Sequence, residues 1–391
     1  MRYEERAEEL SRLLAQAGVD CLLVSAPANL RYLTGFTGSS AIALIWSAEQ
    51  DAHRRHLFIS DFRYEEQAAG EVPPGYEQLF LSAAGPRREA FGLLAERLGA
   101  GGGRLAFEAN HLTVAGLGRL EAHLPARWAV QPLEGDLLER MREVKDQQEI
   151  ERIAAACALA DAALAAELEA GLEGRSEREL VVSLEHRMRL LGAQGASFPT
   201  IVASGAHGAL PHAQARDAQI ARGSLVTIDW GALHEGYCSD CTRTFAVGRP
   251  SERAAEVYRV VLDAQQAALE GLRTGLRGHE VDQLARSVIA DAGYGERFGH
   301  GLGHGVGLEV HEAPRLGPRR AARETGETAG APSGGEGADE AGRPLRAGAV
   351  VTIEPGIYLA GELGVRIEEL VVLQEAGKRI LTTLPRELIE L

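Results

Sequence analysis

The stretch that most constrains this chain runs from residue 225 to 247, LVTIDWGALHEGYCSDCTRTFAV. Two apolar, β-branched runs flank Gly231 and Gly236, the pattern of a β-hairpin with a short loop. Each run carries one carboxylate that strand propensity would not choose, Asp229 and Asp240. Pairing about a turn at His234-Glu235 sets Asp229 directly across from Asp240, and side chains so placed have Cβ atoms about 4.5–5.5 Å apart. Two carboxylates that close repel, and burying them without a counter-charge is costly. A pair of divalent cations about 3.5–4 Å apart would resolve the conflict. The competing reading of this stretch alone is a hairpin with two solvent-exposed acids.

Length and composition set the frame. A chain of 391 residues suggests two domains. Its 45% apolar and 25% charged residues are ordinary for a globular protein. A net charge of −15 argues against nucleic acid and against anionic membrane surfaces as partners. The first residues, MRYEERAEEL, contain no apolar run of the signal-peptide kind, and no stretch approaches the roughly 20 apolar residues that span a bilayer. Four cysteines in so long a chain make no disulfide framework, so a cytoplasmic location is expected.

Along the first 132 residues helical and strand patterns alternate. Helices are expected at 4–17, 86–98 and 113–123, and strands at 19–25, 41–47, 57–60, 104–107 and 128–130. This alternation predicts a smaller three-layer α/β domain over 1–132. Its histidines, His53, His56, His111 and His123, have no acidic or cysteine partner at ligand spacing and read as structural or surface residues. From residue 133 to 391 the pattern changes. A long alanine-rich helix is expected over 146–171, and a second follows with Ser176 as N-cap and Glu179 completing a capping box. Two more are expected at 251–271 and 278–292, and helices in bulk around antiparallel strands indicate an α+β second domain. Residues 319–342, RRAARETGETAGAPSGGEGADEAG, lack apolar periodicity and read as a flexible insertion.

Residues with ligand chemistry recur after the first hairpin. FGHGLGHGVGLEVHEAPR brings His300, His304 and His311 into a glycine-spaced segment. No G-x-G-x-x-G register fits there, so a dinucleotide loop is excluded, and the glycines instead let backbone pack closely around the imidazoles. AVVTIEPGIYLAGELGVRIEELVVL reads as two strands turning near Gly361, with Glu354 and Glu368 equidistant from the turn and Arg366 on the face of Glu368. A guanidinium there can orient a ligating carboxylate. His212 follows a strand-like run upstream of Asp229. Cys238 and Cys241 form a C-x-x-C, but on one strand an offset of three points the thiols to opposite faces and no second pair exists. Four carboxylates and one imidazole favour Mn²⁺, Co²⁺ or Fe²⁺ over a thiolate-type zinc site, with Zn²⁺ still compatible.

The order Asp229, Asp240, His304, Glu354, Glu368, with LVTIDWGALHEGYCSDCTRTF and GHGVGLEVHEAPR around them, resembles the prolidase and aminopeptidase P metallopeptidases. NLRYLTGFTGSS and REVKDQQEIERI extend the resemblance over nearly the whole chain. It implies a pita-bread fold for the second domain, with an antiparallel sheet and flanking helices, and a dinuclear Mn²⁺ or Co²⁺ centre. It also implies a homodimer and hydrolysis of peptides or dipeptides with proline at the second position. By the same resemblance Asp229 binds one ion, Asp240 and Glu368 bridge both, and His304 and Glu354 complete the second. Glu354 is also the general base. His212 and His311 hold substrate, His300 and Arg315 lie near the pocket, and Arg366 supports a ligand. The insertion at 319–342 departs from the family pattern. A methionine-type aminopeptidase shares fold and ligand order but lacks the N-terminal domain. A creatinase-like enzyme works without metals, and an inactive pita-bread binding module is expected to have lost its ligands.

Overall fold

The computed structural model of the protein describes residues 2–49, 54–82, 89–133, 135–319 and 340–391. The chain divides into two compact units, Met1–Met141 and Arg142–Leu391. His53 and nearly all of the 319–342 insertion lie outside the described residues.

The first unit is built on a six-stranded mixed sheet. Its spatial order is Tyr76–Leu81, His56–Asp61, Ala41–Trp46, Cys21–Val24, Gly103–Phe107, Trp128–Pro132. The central strand Cys21–Val24 is buried on both faces, as its unbroken apolar run requires. One face is covered by helices Ala90–Leu98 and Val114–His123, through Leu94, Leu98 and Leu120. Helix Tyr3–Gln16 packs against the strand pair Cys21–Val24 and Ala41–Trp46 and stops before Gly18, whose φ of 65° no helix continues. The strands agree with the sequence pattern to within a residue or two, except the outermost. Helices Pro27–Thr34 and Glu65–Glu71 and strand Tyr76–Leu81 lack a clear period and were not expected. The expected helix 86–98 is described only from Ala90. His56 is held below the usual imidazole range, at about 4, by burial, and its Nδ1 accepts from the Trp46 amide at 3.2 Å, which is a structural role.

In the second unit one arrangement occurs twice. Helices Gln147–Glu169 and Glu177–Leu190 cover the antiparallel strands Ile201–Ser204, Leu225–Trp230 and Cys241–Ala246. Helices Glu252–Gly271 and Gly278–Asp291 cover a five-stranded sheet, ordered Glu312–Leu316, Gly303–Gly305, Val350–Ile353, Glu369–Leu373, Lys378–Ile380. The sheet pairings in this unit are all antiparallel. Capping boxes start both helices of the first pair, Asp146 with Glu149 and Ser176 with Glu179. Among the described residues no helix is long and apolar enough to cross a membrane.

Between the two sheets lies a buried cation. Arg243 donates to Glu369 Oε1 at 2.8 Å, with the two side chains 1% and 3% exposed. It also donates to the carbonyls of Thr242, Leu384, Pro385 and Glu368. Removing one partner of a buried pair leaves the other charge uncompensated, so Arg243→Ala should cost about 3–5 kcal/mol of stability. Urea unfolding of the metal-free protein reads this directly, and an unchanged midpoint would show that the pair contributes nothing.

Candidate metal centre

The first hairpin turns one residue later than its sequence suggests. Glu235 and Gly236, with φ of 45° and 79°, form the two-residue turn. Positive φ at both central positions is the type I′ geometry, and glycine at the second makes it accessible. The register that follows pairs Asp229 with Thr242, and Trp230 with Cys241. Asp229 is therefore not directly across from Asp240, which lies just before its strand. The two carboxylates still interact, since Asp229 helps to raise the Asp240 carboxyl. The same turn corrects the C-x-x-C: Cys238 and Cys241 lie on two short strands, and all four cysteines are free and buried.

The second hairpin keeps the symmetry of its sequence. Strands Gly356–Leu359 and Leu363–Arg366 pair with Gly356 opposite Arg366, and Val350–Ile353 and Glu369–Leu373 pair with Ile353 opposite Glu369. Both ladders share one register about Gly361, so Glu354 and Glu368 fall opposite each other in the gap between them.

His304 comes from the middle of the short strand Gly303–Gly305, opposite Arg315. A Cβ at Gly305 would lie 2.1 Å from the Ala313 carbonyl oxygen, so glycine there is demanded by the approach of the neighbouring strand. His304 Nδ1 lies 3.1 Å from the Gly305 carbonyl. Donation to that carbonyl fixes the tautomer and leaves Nε2 as a ligand atom. Nε2 is 3.3 Å from Glu354 Oε1 and 3.7 Å from Asp240 Oδ2.

Asp240, His304 and Glu368 each direct one ligand atom into a cluster whose members all lie within 4.8 Å of one another. Supporting groups hold the acids in place. Arg366 donates to Asp229 Oδ2 at 2.7 Å, to Thr242 Oγ1 at 3.0 Å and to Tyr358 Oη at 2.9 Å. Thr242 Oγ1 donates to Glu368 Oε2 at 2.8 Å. The other oxygens, Asp229 Oδ1 and Glu368 Oε1, are buried without a hydrogen-bond partner among the described residues. Burial and mutual repulsion push Asp240 and Glu368 well above the usual carboxylate range. Burial raises Asp229 as well, against the pull of Arg366. Burial alone would also raise Glu354, but His304, His300 and Arg366 together outweigh it and hold Glu354 below its usual value. Orphaned carboxylate oxygens in a repelling buried cluster fit divalent metal, with Asp240, His304 and Glu368 as the triad that could hold it.

Of the remaining candidates, His311, His212 and Arg315 are exposed and His300 is partly buried. The His311 ring lies 4.4 Å from that of His304. Burial of part of its ring and nearby His304, Arg315 and His212 hold it below the usual imidazole range. His300 Nε2 lies 2.9 Å from Tyr358 Oη. A hydrogen-bond chain thus runs His300, Tyr358, Arg366, Asp229. Sequence reasoning missed Tyr358 and Thr242. Tyr358 lies on the apolar strand Gly356–Leu359, and only its two-residue phase with Gly356 marked a face.

A family model for metallopeptidase family M24 matches residues 151–375, and one for the creatinase/prolidase N-terminal domain matches residues 6–144. The chain is 39% identical over 395 residues to the uncharacterized peptidase YqhT of Bacillus subtilis, covering 98% of this chain and 99% of that one. Among solved structures it is similar to an Xaa-Pro dipeptidase from Bacillus anthracis, with a TM-score of 0.87 and 37% identity over the whole of both chains. An X-Pro aminopeptidase from Thermotoga maritima gives a TM-score of 0.83 and 36% identity, covering 99% of this chain and 100% of that one.

Asp240→Asn removes one of the repelling charges. It should stabilise the metal-free protein at neutral pH, because the cluster then lacks a buried uncompensated acid. It should also lose at least one bound ion and nearly all turnover. Urea unfolding with and without chelator, and metal analysis, check both outcomes. A variant with full metal content and normal turnover would exclude Asp240 as a ligand.

Proposed function

The chain belongs to metallopeptidase family M24, in its prolidase and aminopeptidase P branch, and from that membership and the geometry of the acids we propose a metal-dependent exopeptidase that hydrolyses the Xaa-Pro bond. The observation that carries this reading is the pair of orphaned, buried oxygens on Asp229 and Glu368 beside Asp240 and His304. The oxygen-rich donor set favours Mn²⁺ or Co²⁺. Two such ions, when bound, lower the pKa of water toward about 7 and polarise the scissile carbonyl.

The chain's own residues supply the rest. Glu354, whose Oε1 lies 3.3 Å from His304 Nε2, accepts the proton of the attacking water. His311 and His212, both exposed, hold the substrate carbonyl and the leaving nitrogen. His300 and Arg315 bound the substrate pocket. Arg366 keeps the Asp229 carboxylate aimed by the hydrogen bond at 2.7 Å. An Xaa-Pro bond has no N–H and its proline φ is locked near −65°, so a protease that grips extended substrate through that N–H loses its hold. Recognition through the carbonyl and the imidazoles does not depend on it. The match to a creatinase/prolidase N-terminal domain over residues 6–144 supports this reading over a methionine-type aminopeptidase.

Incubating the metal-reconstituted protein with Ala-Pro, Ala-Pro-Ala and Met-Ala-Ser tests the specificity. Release of alanine from the first two, with Met-Ala-Ser intact, is the expected result; cleavage of Met-Ala-Ser alone would overturn it. Glu354→Gln keeps the shape of the side chain and removes the proton acceptor. Turnover should fall about 10²–10⁴-fold, far more than substrate binding weakens. If most of the turnover survived, the base role would pass to His311.

A further inference from the structure

Both stems of the loop that carries His212 meet one buried side chain. The loop leaves strand Ile201–Ser204 and ends near Arg216. Glu177, the first residue of helix Glu177–Leu190, is fully buried and meets both of its stems. Oε1 accepts from the Ser204 amide at 2.9 Å and from Ser204 Oγ at 2.9 Å. Oε2 accepts from the Arg216 amide at 3.0 Å. The Arg216 guanidinium reaches Oε1 at 3.1 Å, and His207 Nδ1 lies 3.0 Å from Oε2. These bonds outweigh burial and hold the Glu177 carboxyl at about 2.

This carboxylate is not the cap of its helix. The helix start is already capped, because Ser176 accepts from the Glu179 amide and the Glu179 side chain accepts from the Ser176 amide. The buried Glu177 carboxylate, in the first turn of its helix, makes its hydrogen bonds to the loop. The loop has a second anchor on its far side. A Cβ at Gly364 would lie 1.8 Å from the Gly208 carbonyl oxygen, so the loop backbone rests directly on strand Leu363–Arg366. Beyond it, the Pro211 carbonyl accepts from Arg366 Nη1 at 3.3 Å, the same guanidinium that aims Asp229. His212 follows Pro211.

We propose that Glu177 is a positioning residue: it clamps both stems of the 204–216 loop and so fixes His212 over the acid cluster. The inference rests on the reading that His212 contacts substrate. Compact loops with neighbouring ends hold their shape through internal contacts, and exposed loops without such a tie move on the nanosecond-to-microsecond scale. Misplacing a substrate-holding group by about 1 Å can cost on the order of 10²-fold in rate.

Glu177→Gln sets an NH₂ where one of the acceptor oxygens must face an amide donor. Its kcat/KM should fall about 10- to 100-fold, with the loss in the same parameter, kcat or KM, that His212→Ala depresses. Metal content should be unchanged. In a His212→Ala background Glu177→Gln should change kcat/KM less than about twofold, because residues acting through one group are not additive. The urea midpoint should shift equally in both backgrounds. Arg216→Ala, whose side chain is half exposed, should give a smaller loss with the same dependence on His212, and serves if Glu177→Gln fails to fold. Equal losses of kcat/KM with and without His212, or full activity of the folded variants, would overturn the proposal. Full activity of His212→Ala would instead overturn the role given to His212 itself.

Discussion

Four carboxylates held in one buried space repel one another, and the architecture of the second unit follows from keeping them there. Asp240 and Glu368 carry the largest conflict, raised by burial and by their neighbours. The surroundings do not neutralise it. Arg366 satisfies one oxygen of Asp229, and Thr242 satisfies one oxygen of Glu368, and in each case the second oxygen is left over. That half-satisfaction orients each acid while keeping a lone pair free, which is how a protein prepares a metal site in advance of the metal. Desolvation that would be ruinous for an isolated acid becomes useful once divalent charge is present.

The scaffold that bears this strain is a repeated one. Each half of the second unit consists of a helix pair laid on antiparallel strands, and one hairpin within those strands delivers two acids. Two turns therefore place four carboxylates, and the helices on the outside bury the sheets that carry them. Arg243 ties the halves together, from the strand that follows Asp240 to the backbone of Glu368 and the side chain of Glu369. Of the other candidates, the three exposed or half-exposed histidines are each tethered by a different device. His212 sits on the loop whose stems both meet Glu177. His300 has its carbonyl held by Arg286, which pairs with Asp282. His311 precedes Glu312, which is buried between Arg142 and Lys145. Loops carry function best when a rigid scaffold positions them, and here buried charges do that fixing.

Much of this was legible along the chain because local chemistry and local periodicity agree. The capping box at Ser176 marked a helix start to the residue, and the helices bounded by Gly18 and Gly171 ended where φ turns positive. The acids stood out because aspartate and glutamate are out of place in apolar strands, and the symmetry of Glu354 and Glu368 about Gly361 survived folding intact. The first hairpin shows where such reading slips. The apolar runs point to a turn at His234-Glu235, one residue before the Glu235-Gly236 turn that forms. The choice fell to the position where glycine takes the second positive φ, and the register of every residue up to Asp229 moved with it.

The sequence by itself determined the elements, the identity and order of the acids and histidines, and the turn chemistry that brings each pair of acids into one neighbourhood. These are properties of spacing, and spacing is written in the chain. Only the tertiary structure decided which oxygens are satisfied and which are left bare. It also decided which tautomer His304 adopts and which distant groups hold the site. Tyr358, Thr242, Arg243 and Glu177 look ordinary in sequence: a tyrosine and a threonine in strands, an arginine between them, an acid in the first turn of a helix. Their roles come from partners up to 142 residues away. Hydrogen bonds and desolvation act through space over a few ångströms, and no local pattern records which atoms will share that space once the chain has folded.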